Sequence, residues 1–549
     1  MRTIPNKESL LVEFKSDQKV YPDRDLVEAI VAMANTDGGV LYLGVEDNGK
    51  ITGLAKKHED EIGLCAMVMN NIVPTIFIEA EILYEEDKNI MKITIPKSKT
   101  VVATLQGKML RRRLKSNGEP ENVPMYPFEI TTRLSDLSLL DFSAQMIHNA
   151  TTNDFDEHEI IRLRNMIKKS NGDNYLLDLD NEELEKALGL VKEDNGILIP
   201  TITGMLLIGK EEKIAKYIPT ARSSFQVLEG TVVRKNEEYG KSILATLEII
   251  ENNFNAWNPE HEVDDGLLRI SVPEFSKKAF REALINAFSH RDYTMLGTVR
   301  VAIDDEGLII SNPGGFIEGV TLDNLLTVEP HGRNKNLADA LKRIGLAEKT
   351  GRGIDRIFEG SILFGRPWPD YSESTKTMVK LFIQRAKPDF HFMKMLNEEQ
   401  ERNQRALSIN SLLILSCLKY ERRVNLKRIM ETTHISESKA IATIGKLVES
   451  GLIEATGKGK NRTYILSAKV YNAGDNMIGY IRQTDIDELR YEELVLKFAK
   501  KSNDGIKRRE VSELLKISKD QSYRLLKKLV KENKLTLIGK GNQTRYKIK

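Results

Sequence analysis

At 549 residues the chain exceeds what one hydrophobic core usually organises, and roughly three to five domains are expected. The composition, 40% hydrophobic and 30% charged with 16 prolines against 36 glycines, excludes long disordered or low-complexity tracts. A net charge of +2 selects no partner, and Cys65 and Cys417 lack His or Cys neighbours at metal spacing, which excludes disulfide frameworks and zinc ribbons. No apolar run reaches about 18 residues and Met1 to Leu10 has no secretory pattern, so a cytoplasmic protein without a membrane partner is expected.

The first elements read as a strand from Leu10 to Lys15, a helix from Asp25 to Asn35, and a strand from Val40 to Asp47 ending in the Asn48-Gly49 turn. They define an α+β domain, taken as residues 1–135. Three blocks in it, Glu8-Ser9-Leu10-Leu11-Val12-Glu13-Phe14-Lys15, Ala32-Met33-Ala34-Asn35-Thr36-Asp37-Gly38-Gly39 and Leu43-Gly44-Val45-Glu46-Asp47, resemble the Schlafen AlbA_2 domain. The resemblance implies a nucleic-acid-binding fold and, by analogy with nuclease members, an acidic Mg²⁺ or Mn²⁺ site of Glu8, Glu13 and Asp47, with Lys15 neutralising a phosphate. Five residues apart on one strand, Glu8 and Glu13 face opposite sides, so convergence requires Glu8 in a preceding turn. The alternative is that Glu13 and Lys15 form a same-face pair on a binding surface. The run Arg111, Arg112, Arg113 and Lys115 reads as a loop touching nucleic-acid backbone.

Farther along, helices from Glu157 to Lys168 and Asn181 to Leu188 precede strands at Val299 to Ile303 and Leu308 to Ser311. They belong to a second α/β unit, residues 150–390. The text Phe280 to Ala287, His290-Arg291-Asp292-Tyr293, Ser311 to Phe316, Gly332-Arg333-Asn334 and Gly351-Arg352-Gly353-Ile354 resembles the divergent histidine-kinase/gyrase-like (GHKL) ATPase domain of RecG-related chains, an α/β sandwich. That resemblance implies ATP and Mg²⁺ as cofactors, Glu282 activating water and Asn286 holding the metal one helical turn later. Asn312, Gly314, Gly315, Gly351 and Gly353 would line the nucleotide, the glycines through close backbone approach. The chain departs from the superfamily where an aspartate precedes the glycines: it has Asn312-Pro313. Gly240-Lys241-Ser242 imitates the end of a P-loop, but Lys235 stands at the required first glycine, so no Walker motor is expected.

A charged connector, Lys387 to Arg405, leads to an internal repeat. Ile435, Ser436, Lys446, Leu447, Val448, Gly457, Lys458, Gly459 and Tyr464 recur 82 residues later as Ile517, Ser518, Lys528, Leu529, Val530, Gly539, Lys540, Gly541 and Tyr546. Two copies at that spacing are a duplicated domain rather than a solenoid, and they read as winged helix-turn-helix modules at 405–470 and 487–549. In the first, Ser436 caps a helix whose core face is Ala440, Ile441, Ile444, Leu447 and Val448 and whose free face is Lys439, Thr443 and Lys446; the second presents Gln521, Arg524 and Lys528. Such a helix can lie in a major groove, and the Gly-Lys-Gly turns at Lys458 and Lys540 suit a wing on phosphates. From Lys501 to Lys549 there are 15 Lys/Arg against 5 Asp/Glu, the footprint expected for a polyanion.

The reading is a DNA-binding, ATP-binding transcriptional regulator of α+β multidomain fold, with DNA and also RNA as partners and a homo-oligomeric state. Two alternatives stand beside it: a metal-dependent Schlafen-like nuclease acting in defence, and a non-enzymatic oligomeric scaffold. Weak ATPase activity belongs to the regulator reading and nucleic-acid cleavage to the nuclease reading.

Overall fold

The computed structural model describes the chain apart from residues 1–3, 138, 171, 266–267, 330–331, 349–350, 422, 458, 460–461, 468–469, 471–485, 503–504, 516–518, 539–543 and 549. It separates into two compact units, one of residues 1–259, 277–357 and 369–385, the other of 260–276, 358–368 and 386–549. No helix among the described residues is long and apolar enough to cross a membrane.

The first unit begins with a four-stranded sheet in the order Val12–Lys15, Gly39–Leu43, Lys88–Ile95, Glu79–Glu85. The first two strands are parallel, with Val12 opposite Val40, and the others antiparallel. A parallel pair needs a crossover, and the helix Asp23–Ala34 supplies it, burying Leu26, Ile30, Val31 and Met33 completely. Each such side chain contributes roughly 1.5–3 kcal/mol. Gly38 and Gly39 sit at φ 70° and 131°, where L side chains are strained, and a Cβ on Gly39 would collide with the Leu11 carbonyl. The second strand, expected to run to Asp47, stops at Leu43 because Gly44 turns the chain at φ 95°.

The helix Pro127–Asp136 ties this domain to the rest of the unit: Arg133 pairs with Glu318, Asp136 with Arg333, and Thr132 Oγ1 donates to Asp292 Oδ2 at 3.0 Å. Beyond it lies a five-stranded sheet ordered Val232–Tyr239, Arg222–Glu229, Thr298–Ile303, Gly307–Pro313, Met378–Gln384. Only Arg222–Glu229 and Thr298–Ile303 run parallel. The helices Ile243–Ala256 and Lys277–His290 pack through Phe254 and Phe280, whose rings stack 3.6 Å apart. The expected helices appear as Glu157–Lys169 and Asn181–Ala187.

In the second unit one pattern occurs twice. Helices Ile409–Glu421, Leu426–Thr433 and Glu437–Glu449 precede the antiparallel hairpin Ile453–Thr456 and Thr463–Leu466, with Val424 paired to Tyr464. Helices Ile486–Lys501, Arg508–Leu515 and Lys519–Lys531 precede Leu535–Ile538 and Arg545–Ile548, with Ile506 bridged to Tyr546. From the second helix of each copy onward, every element boundary is displaced by the same 82 residues.

The helical register differs from the sequence reading. Ala440, Thr443, Ile444 and Leu447 are buried while Ile441 is 54% exposed, so Thr443 belongs to the core face and Ile441 to the free one. Apolar character alone does not set the face: a threonine methyl fills the i+3 core position, and Ile441, one residue past Ala440, is turned about 100° away from it. Ser436 precedes the helix without a side-chain capping bond.

Candidate functional site

Glu8 does lie ahead of a tight turn, in which Ser9 and Val12 exchange backbone hydrogen bonds, and its Oε1 accepts from the Phe14 amide at 2.8 Å. The turn folds Glu8 back toward Glu13, which is 4% exposed and whose carboxylate pairs with both Lys15 and Arg112. Arg112 is itself buried: Nη2 donates to the carbonyls of Ser9 and Val12, each at 2.9 Å, and Nη1 to Asn122 Oδ1 at 3.3 Å. Burial pulls its pKa down to about 10, and Glu8 opposes that shift. The counter-charge that two converging carboxylates need is thus an internal guanidinium. Asp47 stands on the exposed turn after the second strand, and no three His, Cys, Asp or Glu side chains among the described residues are grouped to hold a metal ion. The acids as arranged do not fit a Mg²⁺ or Mn²⁺ centre, whereas the pairing of Glu13 with Lys15 is present.

The arginine run is a strand, Leu110–Leu114, paired with Pro120–Pro124, and not the expected loop. Alternation sends Arg112 inward and leaves Arg111 and Arg113 outward, where they meet Glu129 at 2.6 Å and Glu121 at 2.7 Å. A buried Arg112 with all these partners has no capacity left for a phosphate.

In the middle domain Glu282 and Asn286 lie on the same side of the helix Lys277–His290, against the start of the helix Gly353–Ile362. A Cβ on Gly353 would strike Glu282 Oε1 and come within 3.5 Å of Asn286 Nδ2. Glu282 is 6% exposed, and burial raises its pKa, with Glu348 adding to the shift and Arg356 and Arg281 opposing it. Gly351 adopts φ 77°, which turns the chain just ahead of this contact. Asn312 is buried, with Nδ2 toward the Pro313 carbonyl at 3.2 Å. The space beside Gly314 and Gly315 is taken by protein: Arg333 abuts the first, and the carbonyls of Thr375 and Lys376 would lie 2.6 Å from a Cβ on the second. Glu282, Asn286 and Gly353 therefore converge, while Asn312, Gly314 and Gly315 pack against the domain's own interior.

Two buried cations went unread in the sequence. Arg333 donates to Asp136 and to the His290 carbonyl, and Arg291, fully buried, donates to the carbonyls of Asp292, Thr220 and Gly297. The His290-Arg291-Asp292-Tyr293 and Gly332-Arg333-Asn334 blocks are thus largely internal fastenings. Likewise His58 is held between Asp17 at 2.9 Å and Asp23 at 3.3 Å, a contact across more than 30 residues with no local signal. A polar cleft of about 460 Å³ lies beside Lys169, Glu251, Arg281 and Leu284, and it does not include Glu282 or Asn286.

On the C-terminal helices Lys439, Lys446 and Arg524 are exposed, and Lys528 Nζ sits 2.9 Å from the buried carboxylate of Glu492. Lys458, Lys540 and the side chain of Gln521 lie outside the described residues.

The fold and these sites define a multidomain α+β protein with a Schlafen AlbA_2 domain: the family model "Schlafen, AlbA_2" matches residues 8–121. Residues 297–382 match the family "Putative ATP-dependent DNA helicase recG C-terminal", and residues 132–224 a domain of unknown function (DUF8451). The chain is similar in fold to the crystal structure of the DIP2311 protein from Corynebacterium diphtheriae, at 19% identity and a TM-score of 0.51 over 98% of this chain and 95% of that one. A local match covers 17% of this chain and 65% of the solution NMR structure of the N-terminal domain of a RecG-related protein from Nitrosomonas europaea, at 22% identity and a TM-score of 0.14. No curated protein matches the chain.

Proposed function

We propose that the chain is a DNA-binding regulator of transcription whose C-terminal repeats are winged helix-turn-helix modules. The observation that carries this reading is the twice-built arrangement of three helices and a hairpin, whose third helix buries one face and leaves the other outward, with Lys439 and Lys446 exposed in the first copy and Arg524, Lys527 and Lys531 in the second. A free, basic helical face matches the major groove in width and opposes phosphate in charge. The full chain should bind duplex DNA with an affinity that falls steeply as salt rises from about 50 to 200 mM. Binding that is absent at low salt, or indifferent to salt, overturns the reading.

A second reading, nucleotide binding with the middle domain as a GHKL-like α/β sandwich, is favoured by the convergence of Glu282, Asn286 and Gly353. Asn286 would hold Mg²⁺ and the backbone at Gly351 to Gly353 would approach phosphate; bound ATP supplies the phosphoanhydride. Glu282, buried and raised in pKa, is suited to accept a proton from water beside it. ATP with Mg²⁺ should raise the Tm of the full chain, and Asn286→Ala should abolish the gain. No shift at millimolar nucleotide leaves the domain structural.

A further inference from the structure

The two C-terminal modules share one scaffold, and their outward surfaces can be compared residue by residue. The inward positions coincide: Ala440, Thr443, Ile444 and Leu447 in one helix correspond to Ser522, Leu525, Leu526 and Leu529 in the other, all buried. Exposure coincides as well, since Ile441 is 54% and its counterpart Tyr523 44% exposed. With the register equal, any difference between the outward faces is a difference of surface and not of fold.

That difference is electrostatic. Glu437–Glu449 contains two lysines against two glutamates, whereas Lys519–Lys531 contains five Lys/Arg against one aspartate. At the exposed positions Ala442 is matched by Arg524, Gly445 by Lys527 and Glu449 by Lys531. Lys527 lies over the Tyr523 ring at 5.9 Å, a contact that holds its ammonium on the helix surface.

Resting on the DNA-binding reading, we propose that the second module's helix is the electrostatic anchor on the duplex and that the first module's helix neutralises almost no phosphate. The pair is then not a symmetric two-site clamp. Salt-dependent affinity resides in Arg524, Lys527 and Lys531, and the first helix offers Ile441 and Ala442, an uncharged face between Lys439 and Lys446. Each phosphate contact contributes about 0.9 to the slope of log affinity against log salt.

The experiment uses the full chain with a labelled duplex, titrated between about 50 and 200 mM KCl and read by fluorescence anisotropy. One variant is Arg524→Gln/Lys527→Gln/Lys531→Gln, which spares Lys528 because it holds Glu492; the other is Lys439→Gln/Lys446→Gln. The first should lower the slope by about 3, the second by less than about 0.5. Arg524→Gln alone, with an unchanged melting curve, should lower it by about 1 and guards against misfolding of the triple variant. Equal losses per charge removed from the two helices overturn the division of labour while leaving DNA binding intact. Salt-dependent binding that neither variant alters overturns both this proposal and the assignment of DNA contact to these helices.

Discussion

Two glutamates, Glu13 in the N-terminal domain and Glu282 in the middle domain, are both nearly inaccessible, and their surroundings set them on different courses. Glu13 is enclosed by the cations of Lys15 and Arg112, so its charge serves to hold the strand Val12–Lys15 to the strand Leu110–Leu114. Glu282 faces the backbone of Gly353, beside which Asn286 also lies, and burial raises its pKa. Burial fixes neither role: a paired carboxylate becomes a fastening, whereas one facing backbone keeps a proton affinity that chemistry can use.

The contrast can be broken hardest at Arg112. Arg112→Ala should cost about 3–5 kcal/mol in urea unfolding, because it leaves a buried carboxylate with a diminished counter-charge and frees the Ser9 and Val12 carbonyls. A loss below about 1 kcal/mol would show that water already solvates Glu13. Next in size is Gly353→Ala, expected to destabilise by about 1–3 kcal/mol because the added methyl displaces Glu282. An unchanged Tm would place Glu282 away from that backbone.

The mildest change, Glu282→Gln, sharpens the comparison through pH. A carboxyl whose native pKa is raised above its ordinary value of 4.5 holds its proton longer in the folded chain than in the unfolded one. Wild type should therefore lose stability relative to the glutamine variant as pH climbs above about 4.5, and the gap should level once pH passes the native pKa. Below both values the two proteins should converge. Parallel stability curves from pH 4 to 8 would refute a raised pKa.

Local signals are legible in the sequence. The helix Asp23–Ala34, the strands Thr298–Ile303 and Gly307–Pro313, and the 82-residue duplication all follow from periodicity, turn residues or repetition. Partnerships at a distance are not. Glu13 with Arg112, Asp136 with Arg333 and Asp17 with His58 are each separated by tens to hundreds of residues, and nothing in a neighbouring tripeptide marks them. The run Arg111 to Arg113 shows the cost: as charges it reads as a phosphate patch, but on a strand its alternation consigns the middle arginine to the interior. Thr443 and Ile441 exchanged faces for a related reason, since helical geometry, not hydropathy, decides which residue reaches inward.

The constant 82-residue displacement of the second and third helices and the hairpin also bears on how this chain can change length over generations. A crossover that removes residues 442–523, so that Ile441 is followed by Arg524, deletes one period and yields a hybrid helix with Ala440, Leu525, Leu526 and Leu529 still facing the core. Unequal recombination between the copies can thus drop or add a whole module without leaving a broken one behind, which makes module number a heritable quantity that selection can adjust in single steps.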